Sequence, residues 1–230
     1  MPKKKVTKHD LKENKMVEWA KEIIKYGRAH EKQVKHISYG AIGAIILFFI
    51  GQAYVQGVKK DAQDDFSQAM MIYEKGGQDE KSYQQAEKLF KKIQGYSLAR
   101  ISKLALLYEG NCAYRLKNYD GAISSFSKFA KKFPGHRLAP IALESLAKSY
   151  EAKEDYKEAA NTYEKLSKNY PDSEDISFSL ARVYKKSSRL KEAKEIYDRI
   201  AKKDPDSDQA KEAELLLSLM EKKEKKPKEQ

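Results

Sequence analysis

The sequence predicts an all-α chain: one transmembrane helix followed by a solenoid of stacked helical hairpins. Three observations predict it. Residues 37–58 run for 22 positions without a charge. Beyond them, small residues, aromatics and prolines recur at spacings of 34 and 37 residues. The chain is rich in Lys, Glu, Leu and Ala, with only 11 Gly and 6 Pro in 230 residues, which favours helix. With 40% hydrophobic and 35% charged residues it is too apolar for wholesale disorder and too polar for a multispanning protein. A single cysteine, Cys112, excludes an intramolecular disulfide.

Residues 1–36 form a basic segment, with 11 Lys/Arg against 5 Asp/Glu. Asp10-Leu11-Lys12-Glu13 reads as a capping box that opens a helix. Met16, Trp19, Ala20, Ile23 and Gly27 then share one face, while Lys15, Lys21, Lys25 and Arg28 fall elsewhere. Such a helix suits the membrane surface, apolar face down and cations toward anionic headgroups, so the lipid bilayer is an expected partner.

Residues 37–58, ISYGAIGAIILFFIGQAYVQGV, are the transmembrane helix. At about 1.5 Å per residue they reach roughly 33 Å, enough for a hydrocarbon core of about 30 Å. Lys35, Lys59 and Lys60 flank the span and Tyr39 and Tyr54 lie near its ends, as at a membrane interface. A buried core helix is excluded by the length and the lack of a polar stripe. A cleaved signal is the competing reading, with an apolar heart at Ile42–Ile50 and small residues in Gly51-Gln52-Ala53. The 36 preceding residues favour an uncleaved anchor instead. Gly40 and Ala44 leave helix pairing open, since such spacing is common in single spans. Five Lys/Arg lie in the twenty residues before the span and three in the twenty after it. That bias retains the N-terminus in the cytoplasm and sends the C-terminal part across.

Residues 59–220 carry the repeat. One unit holds Gly110, Ala113, Tyr119, Ala122, Phe126, Phe129 and Pro134. The next holds Leu146, Ala147, Tyr150, Tyr156, Ala159, Tyr163, Leu166 and Pro171, and a third Leu180, Ala181, Tyr184, Leu190, Ala193, Tyr197, Ile200 and Pro205. The distance from Ala122, Ala159 or Ala193 to the closing proline is always 12 residues. Small residues (Gly110, Ala147, Ala181) let crossing helices approach; Phe126, Tyr163 and Tyr197 fill the groove against the next repeat. Proline ends each second helix, whereas Pro140 suits a helix start. A degenerate first repeat lies upstream: Phe66, Ala69 and Tyr73 in one helix, the loop GGQDEKS, then Tyr83, Ala86, Phe90 and Ile93 in a second, with no closing proline. Residues 207–220 suit a capping helix, and 221–230, EKKEKKPKEQ, a disordered charged tail.

Through LAKSYEAKEDYKEAANTYEKLSKNYP and LARVYKKSSRLKEAKEIYDRIAKKDP the chain resembles the tetratricopeptide repeat (TPR) family over residues 103–205. A basic segment, one span and then such repeats also resembles the ancillary SecYEG translocon subunit family. These resemblances imply a peptide-binding concave groove on an extracytoplasmic domain, with translocon subunits or chaperones as partners. Repeat alignment implies Asn111, Tyr114 and Arg115 as groove residues, then Glu144, Lys148 and Glu151, then Phe178, Arg182 and Lys185. By resemblance Asn111 holds a peptide backbone, the cations hold acidic groups, and Tyr114 and Phe178 hold apolar side chains. Leu107, Glu144 and Phe178 depart from the set that reads a free C-terminal carboxylate.

No motif for nucleotide, metal or nucleophilic chemistry is present, so neither an enzyme nor a cofactor is expected. His136 reads as a turn or capping residue and Cys112 as a small packed hydrophobe. Half of the net charge of +12 belongs to residues 1–36, and no basic–aromatic cluster follows, so no nucleic acid is expected. The expected function is a scaffold at the inner membrane, with its repeats in the periplasm. The alternatives are a cytosol-facing docking receptor and an adaptor of a cell-envelope enzyme complex.

Overall fold

A computed structural model of the protein describes residues 8–77, 79–96 and 100–225. Among them are ten helices and no strand: α1 (Lys8–Ala29), α2 (Glu31–Lys75), α3 (Glu80–Ile93), α4 (Ile101–Arg115), α5 (Tyr119–Lys132), α6 (Ala139–Ala152), α7 (Tyr156–Asn169), α8 (Glu174–Lys186), α9 (Leu190–Lys203) and α10 (Asp208–Lys225). The all-α expectation is met. The chain divides into two compact units, Met1–Gly57 and Val58–Gln230.

The first unit holds α1 and the N-terminal part of α2. By length and composition α2 is apolar enough to cross a membrane, and none of its apolar window is buried. The sequence places the end of this segment at Val58, yet the helix continues to Lys75. Residues 59–75 contain neither Gly nor Pro, and Ala62, Phe66, Ala69 and Tyr73 keep helical spacing, so nothing interrupts the hydrogen-bond ladder.

In the second unit consecutive helices from α3 to α10 pack on one another in chain order, as in a solenoid. Three buried clusters follow each other along it. The first joins Ala69, Tyr83, Ala86, Phe90, Ile93, Ala105 and Cys112. Phe66 and Tyr73 stand edge-on to Phe90, and Tyr108 stacks on it at 5.2 Å. The second cluster centres on Phe126 and Phe129, the third on Tyr163 and Tyr197. A Cβ placed on Gly110 would lie 2.7 Å from the Phe126 ring, so α4 and α5 meet there only because the side chain is missing. Phe126 thus lies across the helix crossing of its own repeat as well as in the cluster that reaches Ala139, Ala142 and Leu146 of α6.

The loop before α3 is shorter than the expected GGQDEKS. Asp79 accepts the N–H groups of Lys81 and Ser82, which starts the helix at Glu80 and leaves Glu80-Lys81-Ser82 inside it. Later hairpins share one turn. Lys117, Glu154 and Ser188 adopt left-handed φ of 57°, 65° and 64°. The following N–H groups of Asn118, Asp155 and Arg189 donate to the carbonyls of Ala113, Tyr150 and Tyr184 at 2.8–2.9 Å, a Schellman closure in each repeat. Asn118 and Asp155 then cap α5 and α7 through their side chains. Arg189 makes no cap and bonds Glu192 and Glu164 instead. His136 holds the turn before α6, its Nδ1 accepting the Leu138 N–H at 3.2 Å, while Leu138 at the helix N-cap has no side-chain cap bond.

Pro140 sits in the first turn of α6. The cap α10 forms and runs to Lys225, so residues 221–225 of the charged tail are helical. Residues 226–230 and the start of the basic segment, 1–7, lie outside the described residues, as do the side chains of the Asp10–Glu13 capping box.

Candidate peptide-binding groove

The first helices of the three repeats, α4, α6 and α8, each present one row of polar side chains. Tyr114, Lys148, Glu151, Ala152, Arg182 and Lys186 line a hollow of about 500 Å³. Glu151 is its centre. Arg182 grips this carboxylate with two parallel hydrogen bonds, Nε to Oε1 at 3.1 Å and Nη2 to Oε2 at 2.9 Å. Lys186 reaches Oε1 at 3.3 Å. The Glu151 side chain is only 13% exposed, so its charge sits partly out of water and depends on these two cations. Burial works against the Arg182 charge, but the Glu151 carboxylate outweighs it and raises the guanidinium above its ordinary value. One turn before Glu151, Lys148 pairs with Glu144 at 2.6 Å.

Four of the sequence-implied residues, Tyr114, Lys148, Glu151 and Arg182, therefore share one hollow, and Glu144 adjoins it through Lys148. Asn111 is half-buried on α4. Arg115 turns elsewhere: it lines a second hollow of about 470 Å³ with Gly77, Glu80, Tyr83, Leu116 and Lys117, and faces the Tyr73 hydroxyl. Phe178 is half-buried and stands edge-on to Tyr197 at 5.3 Å, as part of the third core cluster. Lys185 is exposed, and its neighbour Lys186 takes the place beside Glu151. Sequence reasoning missed Lys186 and Ala152. The signal for Lys186 was available, since it lies four residues after Arg182 on the same helix row.

A second polar cluster ties α7, α8 and α9. Glu164 accepts the Tyr184 hydroxyl and Arg189 Nη1, both at 2.8 Å, and Arg189 also lies over the Tyr184 ring at 4.0 Å. Burial pushes the Glu164 carboxyl upward, but Tyr184 and Arg189 together outweigh it and hold it below its ordinary value. Burial, with Glu164 as acceptor, pushes the Tyr184 hydroxyl up to about 12.

Cys112 is fully buried, and burial with the nearby Glu87 and Glu109 carboxylates pushes its thiol up to about 12, so it stays protonated at neutral pH. Among the described residues no group of three His, Cys, Asp or Glu side chains could hold a metal ion.

This geometry defines a class, a stack of helical repeats, and the comparisons agree with that fold. Residues 104–136 and 150–218 each match a tetratricopeptide repeat family model. These two segments are therefore similar to tetratricopeptide repeats, and the second unit is a TPR-like solenoid. No curated protein sequence matches the chain.

Among solved structures, it is similar to the MamA RS-1 ArsTM double mutant at 18% identity and a TM-score of 0.59, covering 72% of this chain and 85% of that one. A tetratricopeptide repeat protein from Parabacteroides merdae matches at 18% identity and a TM-score of 0.61, over 71% of this chain and 61% of its own length. MamA from Desulfovibrio magneticus RS-1, residue 41 to its end, matches at 18% and 0.54, over 72% of this chain and 97% of that one. At such identities these likenesses describe the fold.

Proposed function

We propose that the protein is a non-enzymatic scaffold, anchored in a membrane by the apolar part of α2, that binds protein or peptide segments in the hollow around Glu151. The observation that carries this reading is the hollow itself: TPR repeats serve protein–protein interaction, and here three of them converge an aromatic ring, three cations and two carboxylates on one concave patch. The excess of Lys and Arg before the span supports an extracytoplasmic side for the repeats. On that side the partners implied by the sequence resemblance are translocon subunits or envelope chaperones.

A photo-crosslinking residue at Tyr114 tests the groove, with the same residue at the exposed Glu195 of α9 as control. Adducts from Tyr114 alone support the groove, and equal adducts from both sites count against it. A C-terminal reporter active only outside the cytoplasm tests the side. Activity supports the extracytoplasmic scaffold, whereas activity of a cytoplasmic reporter alone makes a cytosol-facing docking receptor the correct reading.

A further inference from the structure

Over residues 15–29 helix α1 divides cleanly in two. At about 100° per residue, Met16, Val17, Trp19, Ile23, Ile24 and Tyr26 fall within one half of its circumference. Lys15, Glu18, Lys21, Glu22, Lys25 and Arg28 occupy the other half, and no charge between residues 15 and 29 enters the apolar side. Among the described residues that side is open but for the His30 ring stacked on Tyr26 at 4.4 Å: Met16 is 72% and Trp19 73% exposed. An uncovered apolar face on an otherwise charged helix calls for an occupant.

Two features select it. The first is width. A coiled-coil seam against a second copy is a narrow stripe of two positions in seven, whereas here half the helix is apolar, as in helices that lie at a bilayer surface. The second is charge: four cations against two carboxylates ring the polar half, and Lys15 and Arg28 border the apolar half, where long stems can snorkel toward headgroups. Position agrees. Only His30 separates α1 from α2, and the uncharged run begins at Ile37, about 10 Å further along the helix.

We infer that α1 docks on the anionic headgroup layer of the bilayer that α2 crosses, with the Met16–Trp19–Ile23–Tyr26 face buried at the acyl boundary. His30, the one residue between the two helices, is where the axis would bend into the surface, and the Tyr26–His30 and His30–Val34 backbone bonds that now run across it would have to give there. The inference rests on the anchor reading of α2, and the test separates the two.

Trp19 is the sole tryptophan of the chain, so its emission reports α1 alone. The full-length protein is reconstituted in vesicles of phosphatidylcholine, with or without phosphatidylglycerol, some carrying brominated acyl chains. Retention after alkaline carbonate extraction is measured on the same samples. The expected result is retention in both vesicle types, with a blue-shifted Trp19 emission quenched by brominated lipid in the anionic vesicles. Met16→Gln with Ile23→Gln should abolish the shift and the quenching without loss of retention. Lys21→Gln, Lys25→Gln and Arg28→Gln together should abolish the preference for anionic lipid.

Retention with Trp19 emission that stays water-like and open to acrylamide overturns the inference and spares the anchor. Loss of retention overturns the anchor and the inference with it. A shielded Trp19 that brominated lipid does not quench, and that depends on protein density, assigns the face to a second copy and also overturns the inference.

Discussion

The two units of the protein use the same residue types in opposite surroundings. In Val58–Gln230 the rings of Phe90, Phe126, Phe129, Tyr163 and Tyr197 are fully enclosed. In the first unit Leu47, Phe48, Phe49 and Ile50 of α2 remain 59–70% exposed. Hydrophobic content does not decide between these fates; pattern does. Large residues set at helical spacing beside Gly110, Ala147 and Ala181 make stripes that another helix can match. An unbroken apolar run leaves no polar side to face water, which is the pattern a lipid-like medium would match.

The comparison breaks most visibly under two substitutions. Tyr163→Ala removes a fully buried ring from the third core cluster and should cost about 3–5 kcal/mol of solenoid stability, read from urea unfolding in detergent. Phe48→Arg should leave that unfolding curve in place and instead disfavour membrane insertion by roughly 2.5–3.5 kcal/mol, read as loss of carbonate-resistant protein. If Phe48→Arg shifts the unfolding curve as far as Tyr163→Ala does, the contrast between the units is wrong.

Solution pH should act on the solenoid through Glu164. Its folded pKa lies below the ordinary glutamate value of 4.5, so the stability it contributes is fully present above that value. It is lost as pH falls through the lower folded value. Unfolding midpoints measured from neutral pH downward should therefore fall more steeply in the wild type than in Glu164→Gln. Identical slopes would mean that the Tyr184 and Arg189 contacts do not hold the carboxylate.

Much of the fold was legible because a 34-residue period fixes which side of each helix faces its neighbours, and Gly110, Ala147 and Ala181 mark the crossings. The groove was legible by row and not by partner. Glu151 and Arg182 lie 31 residues apart, so pairing them requires the rotational phase between α6 and α8, which a period alone does not supply. Long side chains also leave their row: Arg115 turns to Tyr73, and Phe178 exchanges the groove for the ring of Tyr197. The loop before α3 is three residues shorter than GGQDEKS because the Asp79 side chain accepts the Lys81 and Ser82 N–H groups and opens the helix at Glu80.

A smaller effect isolates one atom of the core. The Tyr163 hydroxyl is buried and has no hydrogen-bond partner among the described residues, although its ring is fully packed. An orphaned polar atom carries its desolvation cost in the folded state, which Phe would not. Tyr163→Phe should therefore leave stability unchanged or raise it by about 1 kcal/mol, against the large loss for Tyr163→Ala. A loss for Tyr163→Phe would mean that the hydroxyl bonds something, with Ser179 the first candidate.

The smallest expected effect separates the units by sign. Lys117, Glu154 and Ser188 hold the left-handed conformation that closes each hairpin, where a Cβ is strained and glycine is not. Glycine also frees the unfolded chain, which offsets part of that relief. Each of Lys117→Gly, Glu154→Gly and Ser188→Gly should thus stabilise the solenoid, by no more than about 1 kcal/mol. Lys21→Gly lies inside exposed α1, where φ is helical and strain is absent, so it should only weaken that helix, by about 1 kcal/mol. Circular dichroism at 222 nm against urea reads both. A higher unfolding midpoint for the three turn variants, against a weaker 222 nm helix signal with the solenoid midpoint unmoved for Lys21→Gly, is the expected pattern, because solenoid unfolding senses the turns between its own helices. A loss at all three turns would show that the native side chains contribute contacts there worth more than the strain they carry.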